Sequence, residues 1–446
     1  MALVSCIKEN NKSRKLSHQL CRHQCRPLPI LVLVLVLTFS SWFAFFSPRS
    51  YGHNSFTNTS LMSKNNKFIP PIPNTQTHHH YNSSPSSTSK SGPYHDWQLF
   101  AADFEEMMRN FKIYVYPHVY NNNNNTSSEE AFAGIFLPHP NPLNPKIGNY
   151  LSEHMFKLSL LRSSLITTIP QQAHFFFLPF SINAMRNDRR IRSEAAIAEF
   201  VAQYTQRISS QFPFWNASAG ADHFYVCCHS VGRDAASKHA DLHNNAVQVT
   251  CSSSYFQKLY VSHKDVSLPQ VWPRPLHVPL NPPHTRDRLV YFSGRIQNSN
   301  VRQELIALWG NDTSMDVFDK SPYPYEEGFR RSKYCLHVKG YEVNTARVSD
   351  AIHYGCIPVI LSNYYDLPFA NVLDWTKFSV IINTGEIPFL KERLLSITGQ
   401  MYLTMYRNLC QVRRHFVWHK TPRGYDSFYM TAYQLWLRTS VNRLSY

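Results

Sequence analysis

Short apolar runs and amphipathic stretches alternate along the chain from about residue 97 onward. The apolar runs Phe111 to Tyr116, Ala173 to Phe180 and His223 to Cys228 have the composition of buried strands. Between these runs, the helical spacing of apolar residues predicts helices at Tyr150 to Arg162 and Ile191 to Ile208. Strands that alternate with helices predict a parallel sheet that is covered on both faces.

The same alternation resumes after a proline-rich segment, Leu268 to Pro283. Strands are predicted at Arg288 to Phe292 and Met315 to Phe318, and helices at Val301 to Trp309 and from about Ser427 to Leu444. We therefore predict an α/β chain with two Rossmann-like parallel-sheet domains that face each other across a cleft. The ligand site is expected in this cleft, because open α/β sheets bind ligands at the carboxyl ends of their strands.

One segment of the second half, KYCLHVKGYEVNTARVSDAIHYGCIPVIL, contains a complete βαβ pattern from Lys333 to Leu361. Asn344 or Thr345 is the expected N-cap of its helix, and Gly355 is expected to end that helix. In order, the predicted elements are a strand at Tyr334 to Val338, a loop at Lys339 to Asn344, a helix that ends at Tyr354 and a strand at Ile357 to Leu361.

The loop and the helix start of this segment have the residues expected of an anion site. A helix N-terminus offers free N–H groups and the positive end of a dipole, and Gly340 allows the backbone to approach a ligand closely. Positive charge comes from Lys333, Lys339 and Arg347. A diphosphate would fit there. Glu342 is either an acceptor for ribose hydroxyl groups or a surface partner of Arg347.

A second strand-to-helix junction carries Ser293, Gly294 and Arg295, with Arg302 on the following helix. Guanidinium groups bind phosphate oxygens in pairs of hydrogen bonds, so this junction is a second candidate phosphate site. The sequence contains no Asp-x-Asp motif, and we expect no metal clamp. The charge of a leaving diphosphate would then be neutralised by the helix end and by basic side chains, namely Arg295, Arg302, Lys333 and Arg347.

The part of the chain before residue 97 has a different pattern. Residues 1–27 are rich in basic side chains, and the next nineteen residues, Leu28 to Phe46, carry no charge. As a helix this run would be roughly 28 Å long, which is enough to span a bilayer. The basic flank predicts a type II signal anchor with residues 1–27 in the cytosol. Residues 47–96 are rich in Ser, Asn, Thr and Pro and are predicted to form a disordered lumenal stem.

This topology places two domains in the lumen, residues 97–280 on the acceptor side and residues 281–446 on the nucleotide side. The 446-residue chain has a formal charge of +16, which indicates an anionic partner. Six lumenal cysteines could form disulfides, namely Cys227, Cys228, Cys251, Cys335, Cys356 and Cys410. The expected N-glycosylation sites of this glycoprotein are Asn58, Asn82, Asn124, Asn125, Asn216 and Asn311.

The region Arg331 to Ile382 resembles the signature of the plant exostosin-like glycosyltransferases, family 47. FKIYVYP, AHFFFLPF, FPFWNASAGADHFYV, YFSGR and PYEEGFRRSKYCL also resemble family blocks, in the same order. The resemblance implies a Golgi type II membrane protein of the GT-B fold. It would transfer a hexosyl or pentosyl group, with inversion, from a UDP-sugar to a cell-wall polysaccharide.

The resemblance also implies that the enzyme commonly needs no metal and has no cofactor beyond its donor substrate. A hetero-complex with other glycosyltransferases is a further expected partner, whereas nucleic acid is not expected behind a membrane anchor. The family's nucleotide-sugar site corresponds to Ser293, Gly294, Arg295, Lys333, Gly340, Tyr341, Glu342 and Arg347.

This chain departs from the family pattern at two places. Many members read Cys-Pro-Ser-Gly where this chain has His337, Val338, Lys339 and Gly340, and many read His-Asp where it has His229 and Ser230. The first departure indicates altered phosphate contacts, and the second removes any role carried by that aspartate. Members act on xyloglucan, xylan and pectic polymers, so the acceptor stays open.

An inverting transfer needs a general base for the acceptor hydroxyl. Asp222 and His223, in the GADHF sequence, are the candidates, with Asp222 preferred. Alternatively, Asp222 orders a turn and His223 is a structural histidine. Motifs of serine hydrolases, zinc proteases and P-loop enzymes are missing from the sequence. The remaining alternative function is a non-catalytic polysaccharide-binding protein, or an assembly partner of a glycosyltransferase complex.

Overall fold

The computed structural model describes residues 92–117, 132–138, 141, 145–191, 193–256, 260–297 and 299–443. All of them lie within one compact unit, residues 84–446. The predicted anchor, Leu28 to Phe46, and the predicted cytosolic tail lie outside the described residues. None of the helices that the structure describes has the length and apolar character needed to cross a bilayer.

The first sheet has six parallel strands in the order β2-β1-β3-β4-β5-β6. Its central strand β3 consists of three phenylalanines that are all buried, because helices cover both faces of the sheet. The register pairs Phe177 with Val115 on one side and with Phe224 on the other. The strands are β1 Ile113–Val115, β2 Ile166–Thr167, β3 Phe175–Phe177, β4 His223–Cys227, β5 Val247–Thr250 and β6 Val266–Ser267.

The helices of this part begin at polar caps. Asp96, Ser181 and Ser193 each accept a backbone N–H of the first turn that would otherwise lack a partner. A short helix also covers residues 132–136. The named helices are α1 Trp97–Asn110, α2 Leu151–Leu160, α3 Ile182–Asn187, α4 Glu194–Gln211, α5 Pro213–Ser218, α6 Gly232–Ala235 and α7 Ala240–Asn244.

The second sheet has five parallel strands in the order β11-β10-β9-β7-β8. Its strands are β7 Arg288–Ser293, β8 Met315–Phe318, β9 Ser332–Val338, β10 Ile357–Leu361 and β11 Val380–Ile381. The helices that follow are α8 Asn300–Trp309, α9 Tyr325–Arg331, α10 Arg347–Tyr354, α11 Leu390–Leu395, α12 Gly399–Val412 and α13 Ser427–Arg443.

These elements confirm the predicted α/β class with two parallel sheets, and they correct two local predictions. The second predicted helix begins at Glu194 rather than at Ile191, because Ser193 caps it. Helix α10 begins at Arg347, and its N-cap position is Ala346, so Asn344 and Thr345 are not the cap residue. The Thr345 hydroxyl still accepts the Arg347 N–H at 3.3 Å. Gly355 ends the helix with a φ of 72°, as predicted.

Ordered contacts begin before residue 97, inside the predicted stem. The Tyr94 backbone forms an antiparallel bridge with Leu373, and the His95 N–H donates to the Val372 carbonyl at 3.1 Å. Residues 92–96 are therefore part of the folded region rather than of a disordered stem.

The last helix, α13, packs against the first sheet, whereas the sequence division assigned it to the second domain. The Tyr433 hydroxyl and the Trp436 indole N–H donate to the two carboxylate oxygens of Asp103, on α1, at 2.8 and 3.0 Å. Arg438 donates to the carbonyl oxygens of Lys264 and Asp265, beside β6, at 2.9 and 2.6 Å. The chain thus returns to the first sheet after completing the second.

The two sheets face each other with the carboxyl ends of their strands. Ser253, after β5, donates its hydroxyl to the carbonyl oxygen of Asp366, after β10, at 2.7 Å. The Tyr260 hydroxyl donates to the Asp366 carboxylate at 2.5 Å. The Asn344 amide, after β9, donates to Gln270, after β6, at 2.8 Å. This arrangement agrees with the predicted cleft between two Rossmann-like sheets.

Four of the six predicted lumenal cysteines form disulfides. Cys228 pairs with Cys251 across the ends of β4 and β5, and Cys335 in β9 pairs with Cys356 before β10. Cys227 is a buried free thiol, and Cys410 is an exposed one. Of the predicted glycosylation sites, Asn216 and Asn311 are exposed, and the other four lie outside the described residues, namely Asn58, Asn82, Asn124 and Asn125.

Candidate functional site

The loop between β9 and α10 is held by hydrogen bonds to His337, the next-to-last residue of β9. Its Nε2–H donates to the Val343 carbonyl at 2.9 Å, and its Nδ1 accepts the Thr345 hydroxyl at 2.9 Å. Complete burial lowers the pKa of His337 to about 3, so the ring is neutral and keeps one donor and one acceptor. His337, which stands where many members of the resembled family have cysteine, therefore holds the second half of the loop.

Arg347, the first residue of α10, connects this loop to the end of β7. Its Nε and Nη2 donate to the Ser293 carbonyl at 3.0 and 2.7 Å. The guanidinium also lies over the Phe292 ring at 5.4 Å. A Cβ at Gly294 would lie only 2.3 Å from Arg347 Nη2, so glycine leaves the room that this guanidinium occupies. Ser293, Gly294 and Arg347 are thus brought together as predicted.

Arg302 ties the same two loops together through backbone carbonyls. Its Nε and Nη2 donate to the Val338 carbonyl at 3.2 and 3.0 Å, and its Nη1 donates to the Arg295 carbonyl at 2.9 Å. Burial and the nearby Arg347 lower the pKa of Arg302 to about 10. Gly340 lies against Arg302, since a Cβ there would be 2.9 Å from Nη2. The donors of Arg302 are therefore bonded to backbone carbonyls, and these bonds hold the two anion loops in place.

Three other predicted residues are placed less centrally. The Arg295 side chain is exposed next to the loop, and Tyr341 is 78% exposed at its tip. Lys333 lies at the amino end of β9, where its Nζ is 5.9 Å from the centre of the Tyr402 ring. The structure does not bring Lys333 to the edge of the sheet where Gly340 and Arg347 lie.

Glu342 points across the cleft to the first sheet. Its Oε1 accepts the backbone N–H of Ser230, after β4, at 3.1 Å. Burial raises the pKa of the Glu342 carboxyl, and the Ser230 hydrogen bond and Arg186 oppose that rise. On sequence grounds, one alternative for Glu342 is a surface ion pair with Arg347. The ion pairs found among the described residues do not include this pair.

Asp222 and His223 lie at the amino end of β4, away from the cleft. His223 is fully buried; its Nδ1 donates to Asp222 Oδ1 at 2.7 Å, and its Nε2 accepts the Tyr116 hydroxyl at 2.8 Å. The Ser218 hydroxyl donates to the same Asp222 oxygen. Burial lowers the pKa of His223 below its usual value. The structure thus does not bring this predicted catalytic pair together with the anion loops.

Three cavities lie next to one another near the candidate residues. The Arg347 cavity, about 350 Å³, is lined by Trp272, Arg274, Tyr325, Arg347 and Asp350 among others. The His229 cavity, about 380 Å³, is lined by Tyr150, Asn183, Arg186, His229 and Trp272 among others. The Glu153 cavity, about 370 Å³, is lined by Tyr150, Glu153, His154, Lys157, Ser181 and Asn183 among others.

Shared lining residues make these three cavities neighbours, and we call the row that they form the trench. Trp272 lines both the Arg347 and the His229 cavities, and Tyr150 and Asn183 line both the His229 and the Glu153 cavities. A larger apolar cavity of about 520 Å³ adjoins the trench at Trp272 and Arg274. We place the candidate site in the trench, because Arg347 of the predicted anion-binding residues lines it, whereas none of them lines the apolar cavity.

The trench contains residues that sequence reasoning missed, notably Tyr150, Arg186, His229, Trp272 and Arg274. Burial and the nearby Glu342 charge raise the pKa of Tyr150 to about 12. Burial and Arg186 lower the pKa of His229 to about 4. Of these residues, only Trp272 and Arg274 could have been noticed in the sequence, because WPRP places an aromatic and a basic residue within the proline-rich segment. The others come from helices and loops whose meeting is decided by the fold.

The described residues include no group of three or more His, Cys, Asp or Glu side chains placed to hold a metal ion. Positive charge in the trench comes instead from guanidinium groups. Arg274 bonds to the Asp350 carboxylate, and its Nη2 donates to the Ser349 carbonyl at 3.2 Å. Arg274 and Arg347 both line the Arg347 cavity together with Asp350 and Glu326, and the charge of Arg274 is paired with that of Asp350.

The exostosin GT47 domain matches residues 107–397, which include every strand of both sheets and end before α12 and α13. The chain belongs to the exostosin GT47 family. Among curated proteins, this GT47 chain is 33% identical to a probable glycosyltransferase of Arabidopsis thaliana, At5g03795. The alignment extends over 359 residues and covers 78% of this chain and 66% of that protein. It is 34% identical to a second one, At5g25310, over 75% of this chain and 68% of that protein.

A further relative of this GT47 chain is the probable beta-1,4-xylosyltransferase IRX10L of Arabidopsis thaliana, 26% identical over 60% of this chain and 69% of that protein. The chain thus spans about two thirds of the length of these relatives. Among solved structures, TarM overlaps at a TM-score of 0.29 with 9% identity, over 55% of this chain and 58% of that chain. Family and relatives together support a glycosyltransferase.

Proposed function

We propose that this protein is an inverting glycosyltransferase, which moves a hexosyl or pentosyl group from a UDP-sugar to a plant cell-wall polysaccharide. The observation that carries the proposal is the gathering of Gly294, Gly340 and Arg347 at the carboxyl edge of the second sheet, opposite the first sheet. Membership of the exostosin GT47 family supplies the reaction class.

The donor would bind with its diphosphate in the Arg347 cavity. Arg347 lines this cavity at the first turn of α10, and its charge would stabilise the phosphate oxygens as the sugar leaves. Glu342 lies one loop away, and its carboxylate would accept the ribose hydroxyls. We propose that transfer proceeds without a metal ion, with Arg347 and the N-terminal end of α10 opposing the charge of the leaving diphosphate.

The acceptor would enter the trench from the first sheet. Trp272 is 42% exposed and lines the Arg347 and His229 cavities, which makes it a stacking surface for a sugar ring between donor and acceptor. The names of two relatives, a beta-1,4-xylosyltransferase and a glucuronosyltransferase, favour a polysaccharide acceptor of the xylan, xyloglucan or pectin type.

We propose a Golgi lumenal location for the catalytic region, behind a signal anchor at residues 28–46. The two disulfides support an oxidising compartment, since cytosolic thiols are kept reduced. The same compartment supplies glycosyltransferases with which this protein would form a hetero-complex.

The test uses the full-length chain purified in detergent. UDP binding is measured by calorimetry with and without EDTA, and transfer is measured with a panel of UDP-sugars and wall oligosaccharides. We expect UDP binding that EDTA leaves unchanged and transfer from at least one donor to one acceptor, with inversion at the anomeric carbon. Loss of transfer in EDTA would contradict the metal-free mechanism. UDP binding without turnover would favour the alternative, a non-catalytic polysaccharide-binding protein or assembly partner.

A further inference from the structure

We propose that Glu153 is the general base that removes the proton from the acceptor hydroxyl. This inference rests on the proposed glycosyl transfer and names a catalytic residue for it. It replaces Asp222 and His223, which lie at the amino end of β4. The support comes from the place of Glu153, its hydrogen bonds and its charged neighbour.

Glu153 lies in the first turn of α2 and joins the ends of two central strands of the first sheet. The Ser181 hydroxyl, beyond β3, donates to Oε1, and the Cys228 N–H, beyond β4, donates to Oε2 at 3.3 Å. Both donors follow the carboxyl ends of their strands. The Glu153 carboxylate is therefore fixed at the edge of the first sheet that faces the second sheet.

The trench connects this carboxylate to the proposed donor site. Glu153 lines the inner cavity, which shares Tyr150 and Asn183 with the His229 cavity. That cavity in turn shares Trp272 with the Arg347 cavity. The charges of Glu153 and Glu342 both act on Tyr150, so an acceptor hydroxyl beside this ring would lie between Glu153 and the sugar of the donor.

The surroundings of Glu153 suit a base. A carboxylate has about four acceptor positions, and the Ser181 hydroxyl and the Cys228 and Asn183 N–H groups occupy three of them. Burial raises the pKa of Glu153, and the charge of Lys157, one turn along α2, opposes that rise. Burial lowers the pKa of Lys157 to about 8, and its Nζ donates to the Ile135 carbonyl at 3.2 Å. The remaining acceptor position is available to a hydroxyl.

The other titratable groups of the trench are less suited to this step. His229 Nδ1 accepts the Val231 N–H at 3.2 Å, so the neutral ring carries its proton on Nε2 and presents a donor. Glu342 extends from the loop of the second sheet, where the donor is proposed to bind. His223 already uses both ring nitrogens, with Asp222 and Tyr116.

In the proposed step, the acceptor oxygen attacks the anomeric carbon as its proton moves to Glu153. The bond between that carbon and the phosphate oxygen breaks, and its electron pair leaves with UDP. Glu153 becomes a neutral carboxylic acid and returns its proton to solvent after product release. No oxidant, reductant or further reactant is needed.

The first test compares wild type with Glu153→Gln and with Glu105→Gln, an exposed glutamate on α1, as control. We expect Glu153→Gln to lower kcat at least a hundredfold and to leave the Kd for UDP within threefold. The control should match wild type in both. Because a buried amide could weaken the fold, thermal unfolding is measured in parallel, and Glu153→Ala is assayed with added formate. Formate should restore part of the lost rate, which a structural defect would not allow.

The second test uses the pH profile of kcat. Lys157, Tyr150 and Cys227 are the titratable groups that face Glu153 from α2, the preceding turn and β4. Transfer requires the carboxylate, so the rate should fall as pH drops through the raised pKa of Glu153. Lys157→Met removes a charge that lowers this pKa, so the acidic limb should move to higher pH. The assignment would be wrong if the acidic limb of the Lys157→Met profile did not move. It would also be wrong if Glu153→Gln kept its kcat and formate did not raise the rate of Glu153→Ala.

These outcomes separate the inference from the proposed function. If wild type transfers sugar and Glu153→Gln does so at the same rate, only the base assignment fails. If wild type binds UDP and transfers nothing to any acceptor, the glycosyl transfer fails and the base assignment fails with it.

Discussion

At the scale of single residues, the anion site depends on two properties of its side chains. One is whether a residue is small enough to leave room for a guanidinium group, and the other is whether a side-chain donor is already bonded to the backbone. Arg302 and Arg347 place their guanidinium groups where Gly340 and Gly294 lack a side chain. Both arginines donate to backbone carbonyls, so they fix two loops as well as supply charge. A charge-based prediction finds such arginines but cannot say how many of their donors remain for a ligand.

The first prediction at this scale concerns Glu342. Replacing it with alanine removes the acceptor that we assign to the ribose hydroxyls and leaves the Ser230 N–H without its partner. We expect Glu342→Ala to raise the Kd for UDP at least tenfold, which is about 1.4 kcal/mol. Glu304→Ala, an exposed acid on α8, is the control and should bind UDP like wild type. Equal UDP affinities in calorimetry would remove Glu342 from the donor site.

The second prediction separates binding from stability with two glycines. A Cβ at Gly294 would displace the Arg347 guanidinium from the Ser293 carbonyl, so Gly294→Ala should cost about 1–2 kcal/mol in stability and weaken UDP binding about tenfold. A Cβ at Gly328 would meet the buried Tyr291 ring at 2.2 Å. Gly328→Ala should therefore cost about 1–3 kcal/mol.

Calorimetric titration with UDP and urea unfolding measure these two effects. Gly399→Ala is the control, because nothing lies within 4 Å of a Cβ there. If Gly294→Ala bound UDP normally while Arg347 stayed in place, the proposed use of this guanidinium would be wrong.

At the scale of elements, the βαβ unit from β9 to β10 is the best-predicted part of the chain. Apolar continuity located β10 at its observed bounds, and Gly355 marked the end of α10. The start of α10 was harder to predict, because Thr345 uses its hydroxyl both for the His337 ring and for the Arg347 N–H. The loop thus continues to Ala346, two residues beyond the predicted Asn344.

The third prediction concerns the disulfide of this unit. Cys335 and Cys356 are 21 residues apart, and their bond encloses the anion loop and α10. The double substitution Cys335→Ala and Cys356→Ala should lower the free energy of unfolding by roughly 3 kcal/mol, because the unfolded chain gains freedom. Urea unfolding under non-reducing conditions measures the effect. Cys410→Ala, at an exposed thiol, should change little, and equal stability of all three proteins would contradict the prediction.

At the scale of the whole molecule, the return of α13 to the first sheet joins the two ends of the folded region. Asp103 on α1 accepts from both Tyr433 and Trp436, which lie more than three hundred residues later in the chain. A division of the sequence by its proline-rich link could not reveal this contact, because it depends on how the chain runs after the second sheet.

The fourth prediction tests this connection. Asp103→Ala removes the acceptor of two partly buried donors and should lower the free energy of unfolding by about 2 kcal/mol. Glu105→Ala, an exposed acid on the same helix, should stay within about 0.5 kcal/mol of wild type. Urea unfolding of both variants measures the difference. Equal effects would mean that α13 contributes little through Asp103.

The fifth prediction concerns stability as a function of pH. Burial lowers the pKa of His337 to about 3 and that of His415 to about 4. Below pH 6.5 the unfolded chain binds protons that these buried rings do not, so stability falls as pH falls. His337 alone should cost on the order of 2 kcal/mol at pH 5 relative to pH 7. Urea unfolding at the two pH values checks this, with exposed His284→Asn as control; stability independent of pH would contradict it.

The sequence by itself determined the class of fold, the βαβ unit around the anion loop and the exostosin resemblance. These depend on local periodicity, glycine positions and motif order, which neighbouring residues fix. The tertiary structure alone decided that Asp222 and His223 lie at the wrong edge of the sheet, and that Lys333 lies apart from Gly340. It also decided that Glu153, Ser181 and Cys228 meet, because parallel strands bring residues distant in sequence to one edge.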